Sequence, residues 1–306
     1  MPTLISNVSV AKHLLLQADI VGIPTETVYG LAADASSIKA IAKIFATKQR
    51  PPDKALALNI HATWSIEQWC ESIPSYAYSL IEQFWPGPLT LVLPLRPNSV
   101  LPILEGPGKS IALRCPAHPL TIALLEAFGR PLVAPSANPS HALSPTSAQQ
   151  VAAFYPNSDL HILDGGTCAL GIESTILKII DEHHCEILRF GAVSAEQIQT
   201  CVGFPPILPK TQANPISRLS NLYYVEEPQT LDNFQQNHPK QFFEIVELPE
   251  DLKACQQSFY QILQDTQSQP ERLYVISMPF PSNKDWQVIH QQVKKFARPV
   301  VDFKTL

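Results

Sequence analysis

The sequence is poor in glycine and lacks the glycine-rich motifs with which many proteins hold phosphates. Only 11 of its 306 residues are glycine. It contains no GxxxxGK[ST] loop, no GxGxxG after an apolar strand, and no GxSxG turn of the kind that presents a serine nucleophile. A phosphate-bearing ligand would therefore have to be held by charged side chains rather than by a backbone cradle.

Neither the cysteine spacing nor the apolar runs indicate a disulfide-rich, metal-binding or membrane protein. The 6 cysteines form no CxxC pair, which predicts reduced thiols in a cytoplasmic protein. The stretch DEHHCE at 181–186 gathers metal-ligand types, but it is more typical of an exposed hairpin, so we expect no metal site. The run HLLLQADIVGI is broken by Gln17 and Asp19 and is too short to span a membrane. The first residues show no signal peptide.

Charge is sparse and is not concentrated as in proteins that bind nucleic acid over a large surface. Charged residues make up 16% of the chain, the formal net charge is -5, and neither half is basic. An extended nucleic-acid surface is not expected, whereas a local basic pocket is compatible with this composition. Hydrophobic residues make up 45%, and a chain of this length usually forms more than one core.

Helical and strand patterns alternate over residues 1–203, which predicts an α/β (α+β) domain built around one sheet. SSIKAIAKIFATK places Ile38, Ile41, Ile44 and Phe45 on one helical face after a serine cap. Apolar runs such as DIVGIP and LTLVLPL are typical of buried strands. Short links such as DEHH imply antiparallel neighbours, so the sheet should be mixed.

The composition changes near residue 204. FPPILPKTQANPISRLSN is proline-rich and aperiodic, which predicts a linker over residues 204–222. Beyond it, the strand patterns LYYVEEP, FFEIVEL and RLYVISMPF alternate with two amphipathic helices. We therefore expect a second, small α/β domain over residues 223–306.

Four polar clusters follow apolar strands of the first domain, where ligands bind in open α/β sheets. They are PTETVYG (24–30), KQRPPDK (48–54), LRCP (113–116) with PSANPS (135–140), and DGGTCALGIEST (164–175). Each alone could be a capped turn. Four clusters of complementary chemistry favour a shared binding site.

Five cations in or near these clusters need anionic partners. Lys48, Arg50 and Lys54 fall within one short loop, and Arg114 and Arg189 follow apolar strands, where an unpaired guanidinium is costly. Arginine binds phosphate oxygens bidentately and lysine adds a point charge, so a polyphosphate is the expected partner. Internal ion pairs are the alternative for the two strand-end arginines.

The order of the motifs resembles a known family. PTETVYGL, KQRP, WPGPLTLVL, ALRCPAHP, APSAN followed by SPT, DGG…GIESTI and ILRFG occur in the order found in YrdC-like L-threonylcarbamoyladenylate synthases, over residues 20–200. The C-terminal part resembles, more loosely, the second domain of the long two-domain form. The resemblance implies a YrdC-like domain with a twisted, open mixed sheet and flanking helices around a positive cavity, and a small Rossmann-like C-terminal domain.

The resemblance also implies an activity. The enzyme would be a nucleotidyltransferase that forms L-threonylcarbamoyl-AMP and pyrophosphate from L-threonine, bicarbonate or CO2, and ATP, the first step of threonylcarbamoyladenosine modification of tRNA. Mg²⁺ would accompany ATP, without an organic cofactor. A separate transferase complex would receive the product, and direct tRNA binding is not expected. The alternatives are a nucleotide- or RNA-binding relative without synthase activity, and a hydrogenase-maturation domain, whose CxxC motifs are missing.

The matching positions form three overlapping groups. Catalysis would depend on Lys48, Arg50 and Arg114. The residues expected to bind ATP are Lys48, Arg50, Lys54, Ser110, Asn138, Ser144, Thr146, Arg189 and Tyr224. Those expected to bind threonine are Thr25, Thr27, Tyr29, Asn59, Arg114, Ser136 and Ser174.

Three positions depart from the family pattern. Asn59 stands where many long forms carry a histidine that contacts threonine. Phe190 replaces the proline of an LRPG motif. Tyr223 replaces the histidine of an HYAP segment that lies over the site, so closure of the site by this linker is left open.

The implied reaction needs no nucleophile from the protein, which agrees with the absence of a catalytic triad motif. The carbamate of threonine would attack the α-phosphorus of ATP, and the protein would contribute positioning and charge neutralisation. Hydroxyl groups among the threonine-binding residues would form hydrogen bonds with the hydroxyl of the threonine substrate. Valine would leave them without partners.

Overall fold

The computed structural model describes residues 1–51, 55–140, 142–209, 221–226, 228–237, 243–267, 269, 271–278 and 286–300. The chain divides into two compact units, Met1–Pro209 and Lys210–Leu306. The predicted linker at 204–222 straddles this division, and its residues 210–220 lie outside the described part of the chain.

The first unit is an α/β structure with one large sheet. Its strands are β1 (Thr3–Ile5), β2 (Val21–Ile23), β3 (Gly30–Asp34), β4 (Leu58–Asn59), β5 (Leu89–Pro94), β6 (Ser110–Arg114), β7 (Leu132–Val133), β8 (His161–Leu163), β9 (Thr175–Ile179) and β10 (Cys185–Arg189). Its helices are α1 (Val8–Leu16), α2 (Ile38–Lys48), α3 (Ser75–Phe84), α4 (Pro119–Phe128), α5 (Ala148–Phe154) and α6 (Ala195–Val202).

Within the described residues, these ten strands follow the order β1-β8-β2-β3-β7-β4-β6-β5-β9-β10. Neighbours are parallel in some pairs, such as β5 with β9, and antiparallel in others, such as β2 with β3. The mixed sheet with flanking helices confirms the predicted fold class. The predicted hairpin is also present, because β9 and β10 pair antiparallel on either side of residues 180–184.

Strand β3 was not predicted from the sequence. It is formed by GLAAD, and all five of its residues are buried. Leu31 and Ala33 lie in one hydrophobic cluster, and Ala32 lies in another that includes Leu15 of α1 and Leu125 of α4. Because successive strand residues face opposite sides, the sheet is covered on both faces. A strand buried on both faces lacks the apolar–polar alternation that would reveal it.

Serine and asparagine caps start several helices as their sequences suggest. Asn7 accepts a hydrogen bond from the amide of Ser9, and Ser37 accepts one from Ala40. One detail of the prediction for α2 is wrong. Ile41 and Ile44 are buried, but the Ile38 residue is 62% exposed. Ile38 is the first residue of α2, and the buried face of this helix begins one turn later.

The second unit carries a smaller sheet with alternating helices. Its elements are β11 (Leu222–Val225), α7 (Pro228–Asn237), β12 (Phe243–Val246), α8 (Leu252–Gln267), β13 (Leu273–Ser277), α9 (Gln287–Phe296) and β14 (Arg298–Pro299). The described strands are parallel and follow the order β12-β13-β11-β14. This is a small parallel α/β module, and its strand order differs from the 3-2-1-4 order of the Rossmann fold that was expected. Helix α7 and the short β14 were not predicted.

The first residues of the predicted linker belong to the first unit. The Phe204 ring packs edge-on against Tyr76, with ring centroids 5.2 Å apart. The amide of Ile207 donates to the carbonyl of Cys185, and the amide of Ile187 donates to the carbonyl of Ile207, each at 2.8 Å. The chain after α6 therefore covers part of the edge of β10.

The structure also describes the state of the cysteines and the character of the helices. All six cysteines lie in described segments and are free. Among the described helices, none has the length and apolar character needed to cross a membrane.

The different environments of two isoleucines on α2 give a direct test of the fold. Ile41→Ala should lower the free energy of unfolding by about 2–5 kcal/mol, because it leaves a cavity in the main core. Ile38→Ala is the matched control and should change it by no more than about 0.5 kcal/mol. Chemical denaturation of the full chain, followed by tryptophan fluorescence, measures both. Equal losses would contradict the placement of Ile38.

Candidate active site

The connection between β2 and β3 carries the cluster PTETVYG and is held by Thr25. The Thr25 Oγ1 accepts hydrogen bonds from the amides of Thr27 and Val28, at 3.1 and 3.2 Å. It donates to the carbonyl of Val28 at 2.6 Å. Threonine commonly stabilises turns in this way. We expected Thr25 in a threonine pocket. Its hydroxyl proton is instead used by the turn itself.

Thr27 is the fully buried residue that this turn presents to β6. Its Oγ1 lies 2.8 Å from the Oγ1 of Thr25. Either hydroxyl can be the donor in this contact. The Nη2 of Arg114 donates to Thr27 Oγ1 at 2.8 Å. Thr27 therefore links the turn to the guanidinium of Arg114.

Arg114, at the end of β6, forms an ion pair with Glu26. Nη2 of Arg114 lies 2.6 Å from Glu26 Oε1, and each side chain is only 11% exposed. The other carboxylate oxygen of Glu26 accepts from the amide of Ala117 at 2.9 Å. The internal ion pair that the sequence left open for Arg114 is therefore present. The Nε of Arg114 is nevertheless buried without a hydrogen-bond partner in the described structure.

Polar residues lie side by side across three strands at this position. Asn59 of β4 and Thr90 of β5 are the register partners of Arg114 on either side. Register partners project from the same face of a sheet, so the three form a polar row. Thr90 Oγ1 lies 2.9 Å from the Oγ of Ser174, which extends the row to the start of β9.

Arg189, at the end of β10, forms a second ion pair. Its Nη1 lies 2.9 Å from Glu173 Oε2. Its Nε and Nη2 donate to the carbonyl of Ser174, and Nη2 also donates to Ser174 Oγ at 3.0 Å. Ser144 Oγ donates to the other oxygen of Glu173 at 2.8 Å. Arg189 thus also has an internal carboxylate partner, although its side chain is 36% exposed.

Glycine is required where the chain leaves β10. A Cβ atom on Gly191 would lie 2.3 Å from the backbone nitrogen of Thr175. The close approach brings this backbone against residues 173–175, and the amide of Ala192 donates to the carbonyl of Glu173 at 3.1 Å. The glycine of ILRFG therefore fixes the segment that carries Glu173 and Ser174.

Lys48, the last residue of α2, is buried and holds a loop. Its Nζ donates to the carbonyls of Ser136 and Asn138, and its own carbonyl accepts from the amide of Ser140 at 2.8 Å. Burial and, to a lesser extent, the nearby Arg50 lower the pKa of Lys48 to about 7, and Glu173 opposes the shift. The structure therefore shows Lys48 as a support of the 136–140 loop rather than as an exposed cation.

The side chains of Arg50 and Asn138 also donate hydrogen bonds to backbone carbonyls. Nη2 of Arg50 donates to the carbonyl of Ala55 at 3.1 Å. The Nδ2 of Asn138 donates to the carbonyls of Pro139 and Ala142, at 3.0 and 2.7 Å. Its Oδ1 is buried and has no hydrogen-bond partner among the described residues. Lys54, the third cation of this cluster, lies outside those residues.

Tyr29 holds the DGG loop and does not present a free hydroxyl donor. Its hydroxyl donates to the carbonyl of Gly166 at 2.8 Å and accepts from the amide of Gly165 at 3.0 Å. The backbone amide of Tyr29 donates to the carbonyl of Pro145, and the carbonyl of Tyr29 accepts from the amide of Ala137. Tyr29 therefore joins three of the predicted clusters, but as a support.

The side chains of two expected ATP-binding residues, Ser110 and Thr146, bond to near neighbours along the chain. Ser110 starts β6, roughly 13 Å from Arg114 by the rise of four strand residues, and donates to the carbonyl of Pro107. The Oγ1 of Thr146 donates to the side chain of Gln150 at 3.2 Å. Tyr224 lies on β11 of the second unit, so its contribution stays a prediction. Tyr223, next to it, packs in the core of that unit.

Sequence reasoning missed the two carboxylates and Thr90. Glu26 lies inside PTETVYG and Glu173 inside GIEST, so both were present in the motifs, but no acidic run drew attention to them. Their partners are 88 and 16 positions away along the chain. Thr90 gave no signal, because it is one polar residue in the apolar strand LTLVLP.

The described residues include no group of three or more histidine, cysteine, aspartate or glutamate side chains arranged to hold a metal ion. In the hairpin DEHH, the ring of His184 pairs with Asp181 at 2.8 Å on the surface. The expectation of Mg²⁺ bound together with ATP stays a prediction.

Comparison with known proteins gives a consistent set of relatives. The family model Sua5_yciO_yrdC, described as "Telomere recombination", matches residues 13–191. The threonylcarbamoyl-AMP synthase of Bacillus subtilis is 40% identical over 193 residues, which are 63% of this chain and 56% of that protein. The synthase of Pyrococcus abyssi is 39% identical over 197 residues, covering 64% and 57%. The matched region thus spans little more than half the length of these curated relatives.

Solved structures extend the likeness beyond the first unit. The P. abyssi Sua5 complexed with L-threonine has a TM-score of 0.83 and 26% identity, and the match covers 96% of this chain and 97% of that chain. The E. coli YciO structure has a TM-score of 0.56 at 19% identity, over 65% of this chain and 98% of that chain. The second likeness concerns the fold alone.

The buried position of Lys48 predicts a pH dependence of stability. In the unfolded chain its pKa returns to 10.5, so from pH 7 to 10.5 the unfolded state binds more protons than the native state. The stability of the native protein relative to Lys48→Met should therefore rise with pH over this window and be flat below it. Urea denaturation across the window measures the difference. Lys43→Met, on the same helix at the surface, is the control, and a pH-independent difference for Lys48→Met would refute the prediction.

Proposed function

Because the chain belongs to the Sua5/YciO/YrdC family, we propose that it is a threonylcarbamoyl-AMP synthase. It would form L-threonylcarbamoyl-AMP and pyrophosphate from L-threonine, bicarbonate or CO2, and ATP. Curated relatives at 36–40% identity carry the synthase name. The observation that carries the proposal in this chain is the guanidinium of Arg114, which Glu26 and Thr27 hold in place beside the polar row of Asn59, Thr90 and Ser174.

An amino acid with a hydroxyl group suits this arrangement. Its carboxylate would form a charge-assisted hydrogen bond with the guanidinium of Arg114. The substrate hydroxyl would pair with the polar row of Asn59, Thr90 and Ser174. Valine fits a similar volume but would leave these groups unpaired.

The nucleotide would bind on the side of the site formed by Lys48, Arg50 and Arg189. Arg189 is shared with Glu173, so phosphates would compete with that carboxylate. Phosphate charge near Lys48 would favour its protonated form over the neutral form.

The chemistry follows from this arrangement without a protein nucleophile. The neutral amine of threonine attacks CO2, forms a C–N bond and releases a proton, which gives a carbamate. A carbamate oxygen then attacks the α-phosphorus of ATP, the α–β phosphoanhydride bond breaks, and pyrophosphate leaves. Mg²⁺ held mainly by phosphates and water would supply further charge neutralisation. The side chains of the chain orient the reactants and offset charge.

Transfer of the product to tRNA would require a separate transferase, and we place the reaction in the cytoplasm. The alternative of an RNA-binding protein without synthase activity is not favoured. Arg114 and Arg189 are engaged in ion pairs inside the first unit rather than spread over a surface that could follow an RNA backbone.

The proposal is tested by offering the full chain ATP, Mg²⁺, bicarbonate and each of the twenty amino acids in turn. Mass spectrometry should detect an AMP-linked carbamoyl product with threonine and not with valine, together with pyrophosphate release. Arg50→Ala serves as the inactive control. Pyrophosphate release that does not depend on an amino acid, or a product formed equally with valine, would overturn the proposal.

A substitution at Thr27 separates the two substrates. Thr27→Val keeps the shape but removes the acceptor that helps to hold Arg114, so the KM for threonine should rise by at least about tenfold. The KM for ATP should change by less than about twofold, because no nucleotide-side residue is altered. Thr27→Ser is the control that restores the hydroxyl. Equal effects on both KM values would be incompatible with this role.

A further inference from the structure

We propose that Glu26 is a positioning residue, which fixes the guanidinium of Arg114 and thereby sets the affinity for the amino-acid substrate. The inference rests on the proposed function. Glu26 itself need not touch the substrate, since it acts through Arg114, and the geometry around its carboxylate gives the reason.

Glu26 is held at three points before any substrate arrives. Its backbone carbonyl accepts from the amide of Leu170 at 2.7 Å. One carboxylate oxygen accepts from the amide of Ala117 at 2.9 Å, and the other meets Arg114 at 2.6 Å. Its carboxylate is thus tied to the segment that follows β6 and its backbone to the loop before β9, so it has little freedom to move with the arginine.

The two N–H donors of Arg114 Nη2 are divided between neighbouring residues. Glu26 Oε1 takes one at 2.6 Å and Thr27 Oγ1 takes the other at 2.8 Å. This division fixes the plane of the guanidinium and leaves the buried Nε without a partner. A free arginine side chain has many accessible rotamers, and ordering it on binding costs entropy. Glu26 removes much of that freedom in advance, so substrate binding does not have to supply it.

An amide at this position could not replace the carboxylate. Glutamate offers an acceptor to both the Ala117 amide and Arg114, because each of its oxygens accepts. Glutamine has one acceptor oxygen and one donor NH2, so it can satisfy only one of these two donors. Glu26→Gln therefore keeps the size of the side chain but loses the hydrogen bond from either Arg114 or the Ala117 amide.

The second ion pair provides a matched control in the same chain. Glu173 joins Arg189 at 2.9 Å and accepts from Ser144 at 2.8 Å, so it combines a carboxylate, an arginine and a further donor in the same way. It lies on the proposed nucleotide side. If each carboxylate acts through its own arginine, the two glutamine variants should affect different substrates.

The experiment measures KM for threonine and KM for ATP in the wild-type chain, Glu26→Gln and Glu173→Gln. Glu26→Gln should raise the KM for threonine by at least about tenfold and change that for ATP by less than about threefold. Glu173→Gln should show the opposite preference. Thermal unfolding of each variant verifies that the native fold is retained.

Glu26→Asp keeps the buried charge and distinguishes positioning from charge compensation. Aspartate is one methylene shorter and cannot span both Ala117 and Arg114, so the KM for threonine should again rise, by at least about fivefold. This variant also decides the question if Glu26→Gln does not fold. A wild-type KM for Glu26→Asp, or equal changes of both KM values in Glu26→Gln, would overturn the inference. A wild-type chain that makes no threonine-dependent product would instead overturn the proposed function.

Discussion

The ion pair between Arg114 and Glu26 is the interaction on which the candidate site depends. It joins two segments 88 residues apart in the chain, one at the end of β6 and the other between β2 and β3. Thr27 receives its position from the same guanidinium, and Ala117 and Leu170 tie the glutamate to two further loops. Three stretches of sequence that follow or precede strands are thereby held in one place.

A buried ion pair of this kind is a poor source of stability, because desolvation of both charges offsets most of their attraction. Its value lies in geometry. A hydrophobic pair could fill the same volume, but it could not present an N–H group in a fixed direction with one bonding position left open. The same reasoning applies to Arg189 and Glu173, where the arginine is more exposed and the carboxylate is shared with Ser144.

Sequence patterns predicted the parts of the fold that have regular periodicity or caps, and they failed where the signal is weak. Helices α1 and α2 begin at their predicted caps, and the β9–β10 hairpin was expected from its short link. GLAAD gave no strand signal because it is buried on both faces, and Ile38 was misplaced because angular spacing does not say where the core ends. In the site, motif order identified the cations. Their partners, Glu26 and Glu173, depend on contacts between distant segments, which no local pattern contains.

The basic residues of the site are largely neutralised inside the protein, and this changes how the site would respond to a nucleotide. Arg114 and Arg189 each have a carboxylate partner, and burial brings the pKa of Lys48 to about 7, so it is only partly charged near neutral pH. The resting site is therefore less positive than the number of its basic residues suggests. A triphosphate placed beside Lys48 would raise its pKa, so binding would take up a proton from solution near neutral pH. The positive charge needed for the bound phosphates would then arise largely on binding, and the protein would avoid holding an unpaired buried ammonium group when the site is empty.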